Sequence, residues 1–254
     1  MLLNIKNKSI KVKFIDENFK LPEEIQNKID EFWKKVQNGN NNIWNGKITC
    51  VSECKVEENS IMVTCKKSNY AHYLYDERIG LPKEYACFNL AAGCLLETSD
   101  NYYIVGELAQ NTSYPYCMQI SGGNADSKDI KKDEIDVLCT IERETKEELN
   151  IDLKDKKIID GYEIRYISLP DEKVHSYILF AKGQLKITKQ EMEKHYQDYL
   201  ENLTNNNGEI EFGKIHFIKR GNIAEQLQKL KNPKREYLLK LLELDSKIPL
   251  EQKI

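Results

Sequence analysis

Apolar and polar residues follow regular patterns along most of the chain, and these patterns predict a mixture of helices and strands. Apolar residues recur every three or four positions between Ile25 and Val36, which predicts an N-terminal helix opened by Pro22. Alternating runs predict short strands over 47–51 and 61–65. The asparagine-rich stretch 38–42 is predicted to be a loop.

The second part of the chain has a longer series of predicted elements. Predicted strands cover 86–96 and 102–105, joined by a turn in what is most simply a hairpin, then 116–120, 157–168, 174–181 and 210–218. Predicted helices cover about 133–149, 189–202 and a tail, 222–244, that is broken near Pro233. The fold class is therefore predicted to be α+β, with a small α+β subdomain over 1–85 and a second domain over 86–254 that ends in the helical tail.

Composition narrows the class of protein. The 254 residues are 40% hydrophobic and 31% charged, with a mean hydropathy of −0.63, as in globular proteins. The net charge of −3 provides no general basic field, so we expect no nucleic-acid polymer as a partner. We also expect no membrane span or signal peptide, which favours a cytoplasmic protein.

Cysteine and histidine show no metal-ligand spacing. The seven cysteines are odd in number and include no CxxC pair, so we expect reduced, structural thiols. The histidines are equally scattered along the chain. They are His72, His175, His195 and His216.

Acidic residues are concentrated near the end of the predicted helix 133–149. On a helix, Glu144 lies three and four residues before Glu147 and Glu148, so the three carboxylates project from one face. Like charges at these spacings cost roughly 0.2 to 0.5 kcal/mol per pair, a penalty that a cation would remove. Mg²⁺ takes such oxygen ligands together with waters and phosphate oxygens. The alternative is a solvated, purely structural charged face.

A pair of glycines, Gly122 and Gly123, follows the predicted strand 116–120. Glycines there permit an irregular loop in which the backbone turns sharply or approaches a ligand. We therefore predict that the loop and the acidic helix form one site.

Together these residues resemble the Nudix hydrolase signature. That signature has a glycine, five residues, Glu, seven residues, Arg-Glu, an apolar residue, any residue, Glu-Glu, any residue, Gly and an apolar residue. Arg143-Glu144, Glu147-Glu148 and Ile151 match its second half, and Gly122-Gly123 resemble its glycine start. The resemblance covers about 86–220 and implies a mixed sheet in an α/β/α sandwich. It also implies hydrolysis of a diphosphate linkage.

The chain departs from the signature in three ways. Thr145 replaces an apolar residue, and Asn150 replaces a glycine, although Asn also suits a left-handed helix cap. In addition, Gly123 lies 20 positions before Arg143, six more than in the signature. Counting back from Arg143 places the early acidic position on Ile135. Its neighbours Glu134 and Asp136 are the alternatives.

The resemblance implies roles for individual residues. Glu144, Glu147 and Glu148 would bind Mg²⁺, or Mn²⁺ in its place, and Arg143 would orient a ligand carboxylate. Glu148 is the strongest catalytic candidate. A further acidic residue, acting as ligand or general base, would be Glu209 or Glu211, which are otherwise ordinary exposed positions before a strand.

The substrate is less constrained by the sequence. Tyr73 could stack on a base and Arg78 could bind phosphate, with Gly122 and Gly123 close to the ligand. Trp44-Asn45-Gly46, predicted to lie in a strand, and the tyrosines after it are similar to the subfamily that hydrolyses UDP-sugars. Nucleotide sugars therefore come first, followed by ADP-ribose-like compounds and nucleoside triphosphates. Two other readings stay open: a catalytically silent nucleotide-binding module, and a role of residues 1–85 in protein interaction or a homodimer.

Overall fold

The computed structural model describes residues 1–39, 44–171 and 174–249. The strands are β1 Leu2–Asn4, β2 Ser9–Asn18, β3 Lys47–Val56, β4 Ser60–Asn69, β5 Phe88–Glu97, β6 Tyr102–Leu108, β7 Met118–Gln119, β8 Ser121–Asn124, β9 Ile130–Lys131, β10 Glu134–Ile135, β11 Ile159–Ser168, β12 Ser176–Leu185 and β13 Phe212–Lys219. The helices are α1 Glu23–Gly39, α2 Tyr70–Ile79, α3 Val137–Leu149, α4 Lys189–Asn205, α5 Ile223–Lys229 and α6 Leu238–Ser246.

The strands form one mixed sheet. Its main path runs β1-β11-β12-β5-β3-β4-β2-β10-β9, while β8 also pairs with β5, and β6 links β5 to β7 and β13. The pairs β5/β12 and β2/β4 are parallel, and the other pairs are antiparallel. Strands from the N-terminal part of the chain are therefore hydrogen-bonded into the same sheet as β5 and β12.

Helices cover both faces of the central strands. Leu96 on β5 belongs to a hydrophobic core with Ile141 of α3 and Met192 of α4. Its neighbour Leu95 points to the opposite face and packs in a second core with Leu241 of α6, to which α5 also contributes. Alternation along a strand that is buried on both sides accounts for this arrangement. The prediction of an α+β sandwich with a mixed sheet is confirmed.

Several element predictions need correction. The helix predicted from about Asp133 begins at Val137, because Glu134 pairs in the β10 ladder and the Asp136 side chain caps the helix by accepting from Cys139 N. The predicted hairpin of β5 and β6 is joined by a single residue pair, since β6 pairs mainly with β13. Trp44 precedes β3 instead of lying in a strand.

The remaining sequence predictions agree with the structure for the tail and the cysteines and differ from it for one strand. The predicted strand 116–120 contracts to β7, and the tail is broken between α5 and α6 as predicted. All seven cysteines are free, as predicted. Within the described ranges, no helix is long and apolar enough to cross a membrane. Residues 40–42 of the predicted asparagine-rich loop lie outside the described residues.

A buried polar network attaches α6 to the sheet. The carboxylate of Asp245, which is 1% exposed, accepts hydrogen bonds from the hydroxyls of Tyr103 (2.7 Å) and Tyr166 (2.6 Å). Arg220 Nη1 and Lys182 Nζ lie 3.2 and 3.7 Å from its Oδ2. Burial opposes ionisation, but Lys182 and the tyrosine hydroxyls hold the pKa of Asp245 below its ordinary value.

Asp245→Ala is expected to lower the free energy of unfolding by about 3 to 5 kcal/mol, because it leaves buried positive charge uncompensated. Chemical denaturation would measure the loss. Asp198→Ala, at an exposed position of α4, is the matched control and should change stability little. Equal stability of the two variants would contradict the role given to Asp245.

Candidate functional site

Helix α3 is the element that positions the acidic side chains. Asp136 caps its N-terminus, and Asn150 takes the left-handed conformation at its C-terminus, with φ 55° and its N–H bonded to Lys146 O. The prediction that Asn preserves this cap is therefore confirmed. Because they are four positions apart on this helix, Glu144 and Glu148 lie one turn apart on the same face.

Three carboxylates meet at this face. Glu144, Glu148 and Glu211 each offer one oxygen, and these oxygens all lie within 4.8 Å of one another. Glu144 and Glu148 are buried, at 8% and 2% exposure, whereas Glu211, just before β13, is exposed. We call these three residues the carboxylate cluster.

Glu148 carries a buried oxygen without a hydrogen bond. Its Oε2 accepts from Gly122 N at 2.7 Å, but its Oε1 is buried and accepts no hydrogen bond from the described residues. Burial, followed by the charge of Glu211, raises the pKa of Glu148 well above its ordinary value, against the opposing effects of Ser121 and Gly122. A buried acceptor without a hydrogen bond costs free energy, and a cation bound to this oxygen would remove the cost.

Arg143 connects the cluster to a buried aspartate. Its Nη1 lies 2.6 Å from Glu144 Oε1 and 3.3 Å from Glu147 Oε2, and its Nη2 lies 3.0 Å from Asp129 Oδ2. Asp129 is 2% exposed and also accepts from Thr140 Oγ1 at 2.9 Å. Arg143 therefore holds Glu144 in place, while the side chain of Glu147 remains more than half exposed and outside the cluster.

The three positions considered for the early acidic residue of the signature have other roles in the structure. Ile135 is buried, Glu134 pairs with Lys11 at 2.8 Å, and Asp136 caps α3. Asp129 reaches Arg143 from the additional residues between Gly123 and the helix. Counting along the sequence missed Asp129 because this segment folds into a 3₁₀ turn and β9 before β10.

The two glycines lie beside the cluster, in β8 and not in an irregular loop. Gly122, at φ +153°, pairs with Gly93, and a Cβ on it would lie 2.4 Å from Ala92 O. A Cβ on Gly123 would lie 2.5 Å from Glu144 Oε1. The predicted close approach is thus to the chain's own strand and to a cluster carboxylate.

A cavity of about 550 Å³ opens next to the cluster. Its walls include Gly122, Gly123, Glu209, Glu211 and Tyr73 among the residues that the sequence singled out.

The cavity wall differs from the sequence prediction in two ways: one predicted residue is absent from it, and two residues that were not predicted belong to it. Arg78 is exposed near the end of α2 and does not line the cavity. Arg235 and Glu77 do line it, although no sequence motif surrounds them. Contacts between distant segments bring these two to the site, so spacing along the chain could not identify them.

Ionising the three neighbouring carboxylates of the cluster costs free energy when no cation is bound. Burial raises the pKa of Glu144 to about 7, an effect that Arg143 opposes and that Glu211 and Glu147 reinforce. Partial desolvation of the Glu211 carboxylate, although its side chain is exposed overall, and then the charges of Glu209 and Glu147 raise the pKa of Glu211 as well. Neighbouring carboxylates that resist ionisation together are typical of functional sites.

This predicts that the metal-free protein loses stability as the pH rises. Between pH 4.5 and about 7 the folded state keeps the Glu144 proton that the unfolded state releases, so the free energy of unfolding falls across this window. Glu144→Gln should therefore stabilise the metal-free protein at pH 8 by roughly 1 to 3 kcal/mol and have little effect at pH 4. Denaturation in EDTA at both pH values is the measurement; a variant less stable than wild type at pH 8 would refute it.

Comparisons with known proteins find Nudix hydrolases among the solved structures. No family model matches the chain, and no curated protein matches it. A Nudix hydrolase from Alicyclobacillus acidocaldarius is 13% identical, with a TM-score of 0.41 over 64% of this chain and 97% of that one. An Ap4A hydrolase from C. elegans is 16% identical, with a TM-score of 0.34 over 62% and 95%.

A third solved structure, from Deinococcus radiodurans, is 10% identical, with a TM-score of 0.45 over 78% of this chain and 98% of that one. At such identities and scores the likeness carries no weight for activity or substrate.

Proposed function

We propose that this protein is a divalent-metal-dependent hydrolase that cleaves a diphosphate linkage in a nucleoside diphosphate derivative. The observation that supports this most is the carboxylate cluster, together with the bare buried oxygen of Glu148. A purely solvated acidic face would not bury Glu144 and Glu148.

The residues present fit Mg²⁺ or Mn²⁺. Three carboxylate oxygens from Glu144, Glu148 and Glu211 are hard ligands of the kind these ions take, and three oxygens leave positions for water and phosphate. When bound, such an ion neutralises the diphosphate and lowers the pKa of an attacking water.

Side chains and backbone groups of the protein would position the metal ligands and accept a proton from the attacking water. Arg143 holds Glu144, and the Gly122 N–H holds Glu148, so both carboxylates are positioned before a ligand arrives. Glu211 is exposed and has a raised pKa, which suits a ligand or a proton acceptor for water. Glu209 lines the same cavity and is the other candidate for proton acceptor.

The cavity supports a nucleotide-sized ligand. Its volume of about 550 Å³ falls in the ordinary range of small-molecule sites, and Tyr70 and Tyr73 contribute aromatic rings to its wall. We rank nucleotide sugars first, then ADP-ribose-like compounds, then nucleoside triphosphates, as the sequence resemblance implies. The homodimer remains a prediction, as does the boundary at residue 85.

A product-release assay tests the proposal. Nucleoside diphosphate sugars, ADP-ribose, dinucleoside polyphosphates, coenzyme A and nucleoside triphosphates would be incubated with the protein in Mg²⁺ or in EDTA. We expect metal-dependent release of a monophosphate from at least one compound. No release from any of them would favour the silent nucleotide-binding module.

Metal binding should also be visible without substrate. Millimolar Mg²⁺ or Mn²⁺ should raise the melting temperature at pH 8, because a ligand that binds only the folded state stabilises it. Glu148→Gln should reduce the shift. Equal shifts in the two proteins would place the metal elsewhere.

A further inference from the structure

Arg235 lines the cavity from the segment between α5 and α6. Among the described residues that line it, Arg235 is the only arginine or lysine. Its guanidinium lies over the ring of Tyr114, 3.9 Å from the centroid, and its Nε donates to Gln119 Oε1 at 3.2 Å. These contacts fix the plane of the guanidinium, and both of the partner groups are uncharged.

The charge of Arg235 has no carboxylate partner. Within residues 1–39, 44–171 and 174–249, no carboxylate oxygen forms an ion pair with it. Arg143, Arg165 and Arg220, by contrast, are each paired with at least one carboxylate. Arg78, the remaining arginine, is exposed to solvent.

An arginine that is half-buried and lacks an acidic partner favours an anion from outside the chain. Withdrawing its charge from water is costly unless an opposite charge compensates it. Glu77 and Glu236 also line the cavity, but neither forms an ion pair with Arg235. The Glu77 carboxylate instead accepts from Tyr114 Oη at 3.3 Å.

We propose that Arg235 binds one of the two phosphate groups of the substrate, while the metal ion held by the carboxylate cluster binds the other. Arg235 would thereby set the specificity for diphosphate compounds. This rests on the proposed function. Guanidinium groups bind phosphate through two parallel hydrogen bonds, and the guanidinium plane of Arg235 is already fixed by Tyr114 and Gln119. Arg235 and Tyr237 line the same cavity as Gly122 and Glu211, which are the parts of the wall at the carboxylate cluster.

The backbone holds Arg235 at this position. Arg235 N donates to Met118 O at 3.0 Å, and Met118 N donates to Pro233 O at 2.8 Å. The segment before α6 is thereby joined to β7, next to Gln119. The segment between α5 and α6 is thus part of the cavity wall.

The test compares Arg235→Gln and Arg235→Lys with wild type, using Arg78→Gln as the matched control. Inorganic pyrophosphate is the probe, titrated calorimetrically in millimolar Mg²⁺ and in EDTA. Arg235→Gln should weaken its binding roughly tenfold or more, the scale of lost hydrogen bonds to a charged group. Arg235→Lys should lose less affinity for pyrophosphate, because it keeps the charge but not the planar geometry. Arg78→Gln should bind pyrophosphate like wild type.

Kinetics with the best compound of the release assay give a second measurement. Arg235→Gln should raise KM by a similar factor and lower kcat less. Pyrophosphate binding unchanged in Arg235→Gln, or absent from wild type in both buffers, would overturn the assignment. If wild type hydrolyses nothing, yet binds pyrophosphate in an Arg235-dependent manner, the proposed hydrolysis fails and the anion site stands. Melting curves would verify that each variant is folded.

Discussion

Glu148→Gln is expected to lower turnover by roughly two to four orders of magnitude while leaving the fold intact. The substitution keeps the shape of the side chain but removes the charge of the most buried carboxylate in the cluster. It also replaces the bare Oε1 or its partner Oε2 with an amide nitrogen, which cannot bind a cation. Steady-state turnover in Mg²⁺, beside circular dichroism, is the measurement.

Glu193→Gln provides the control for this variant, because Glu193 is exposed on α4. It should retain wild-type turnover. If Glu148→Gln were as active as the control, the cluster would not be the metal site. A variant that is inactive and unfolded would instead call for comparison with Glu144→Gln, in which burial is less complete.

Gly123→Ala is expected to reduce metal-dependent turnover about a hundredfold, the scale associated with a displacement of about 1 Å in a catalytic site. The added Cβ would lie 2.5 and 2.6 Å from Oε1 and Cδ of Glu144, so that carboxylate must move. Because Arg143 is bound to Glu144, the displacement would extend to its ion pairs. The apparent affinity for Mg²⁺ should fall together with turnover.

Gly213→Ala is the matched substitution. A Cβ there would meet its nearest neighbour, Ala109 Cα, at an ordinary 3.6 Å. We expect wild-type turnover and Mg²⁺ dependence from it. Unchanged Mg²⁺ dependence in Gly123→Ala would show that Glu144 is not a ligand.

Strong periodicity made much of the fold predictable. Helices α1, α3 and α4 and strands β3, β4, β11 and β12 lie where apolar spacing placed them, because each buries one continuous apolar face or run. Helix α2 was not predicted, since tyrosines and charged residues are mixed along it and both Asp76 and His72 are buried. The two-residue strands β9 and β10 are too short to show a period.

The site was predictable where its geometry is local. Glu144 and Glu148 are brought together by one helical turn, which the sequence displays directly. Glu211 joined them only as one of two candidates, because its approach depends on how β13 packs. Asp129 and Arg235 are placed by tertiary contacts with Arg143 and Met118, and no sequence period reports such contacts.

The additional residues between Gly123 and α3 tie the acidic helix to the start of the chain. Strand β10 pairs with β2 at Lys13, and Asp136, the next residue after β10, caps α3. A deletion of residues 1–18 would keep every residue of the carboxylate cluster but would remove the strand that supports the start of α3. The part of the chain that carries the carboxylate cluster is therefore not an independent module, because the start of α3 depends on a strand more than a hundred residues upstream.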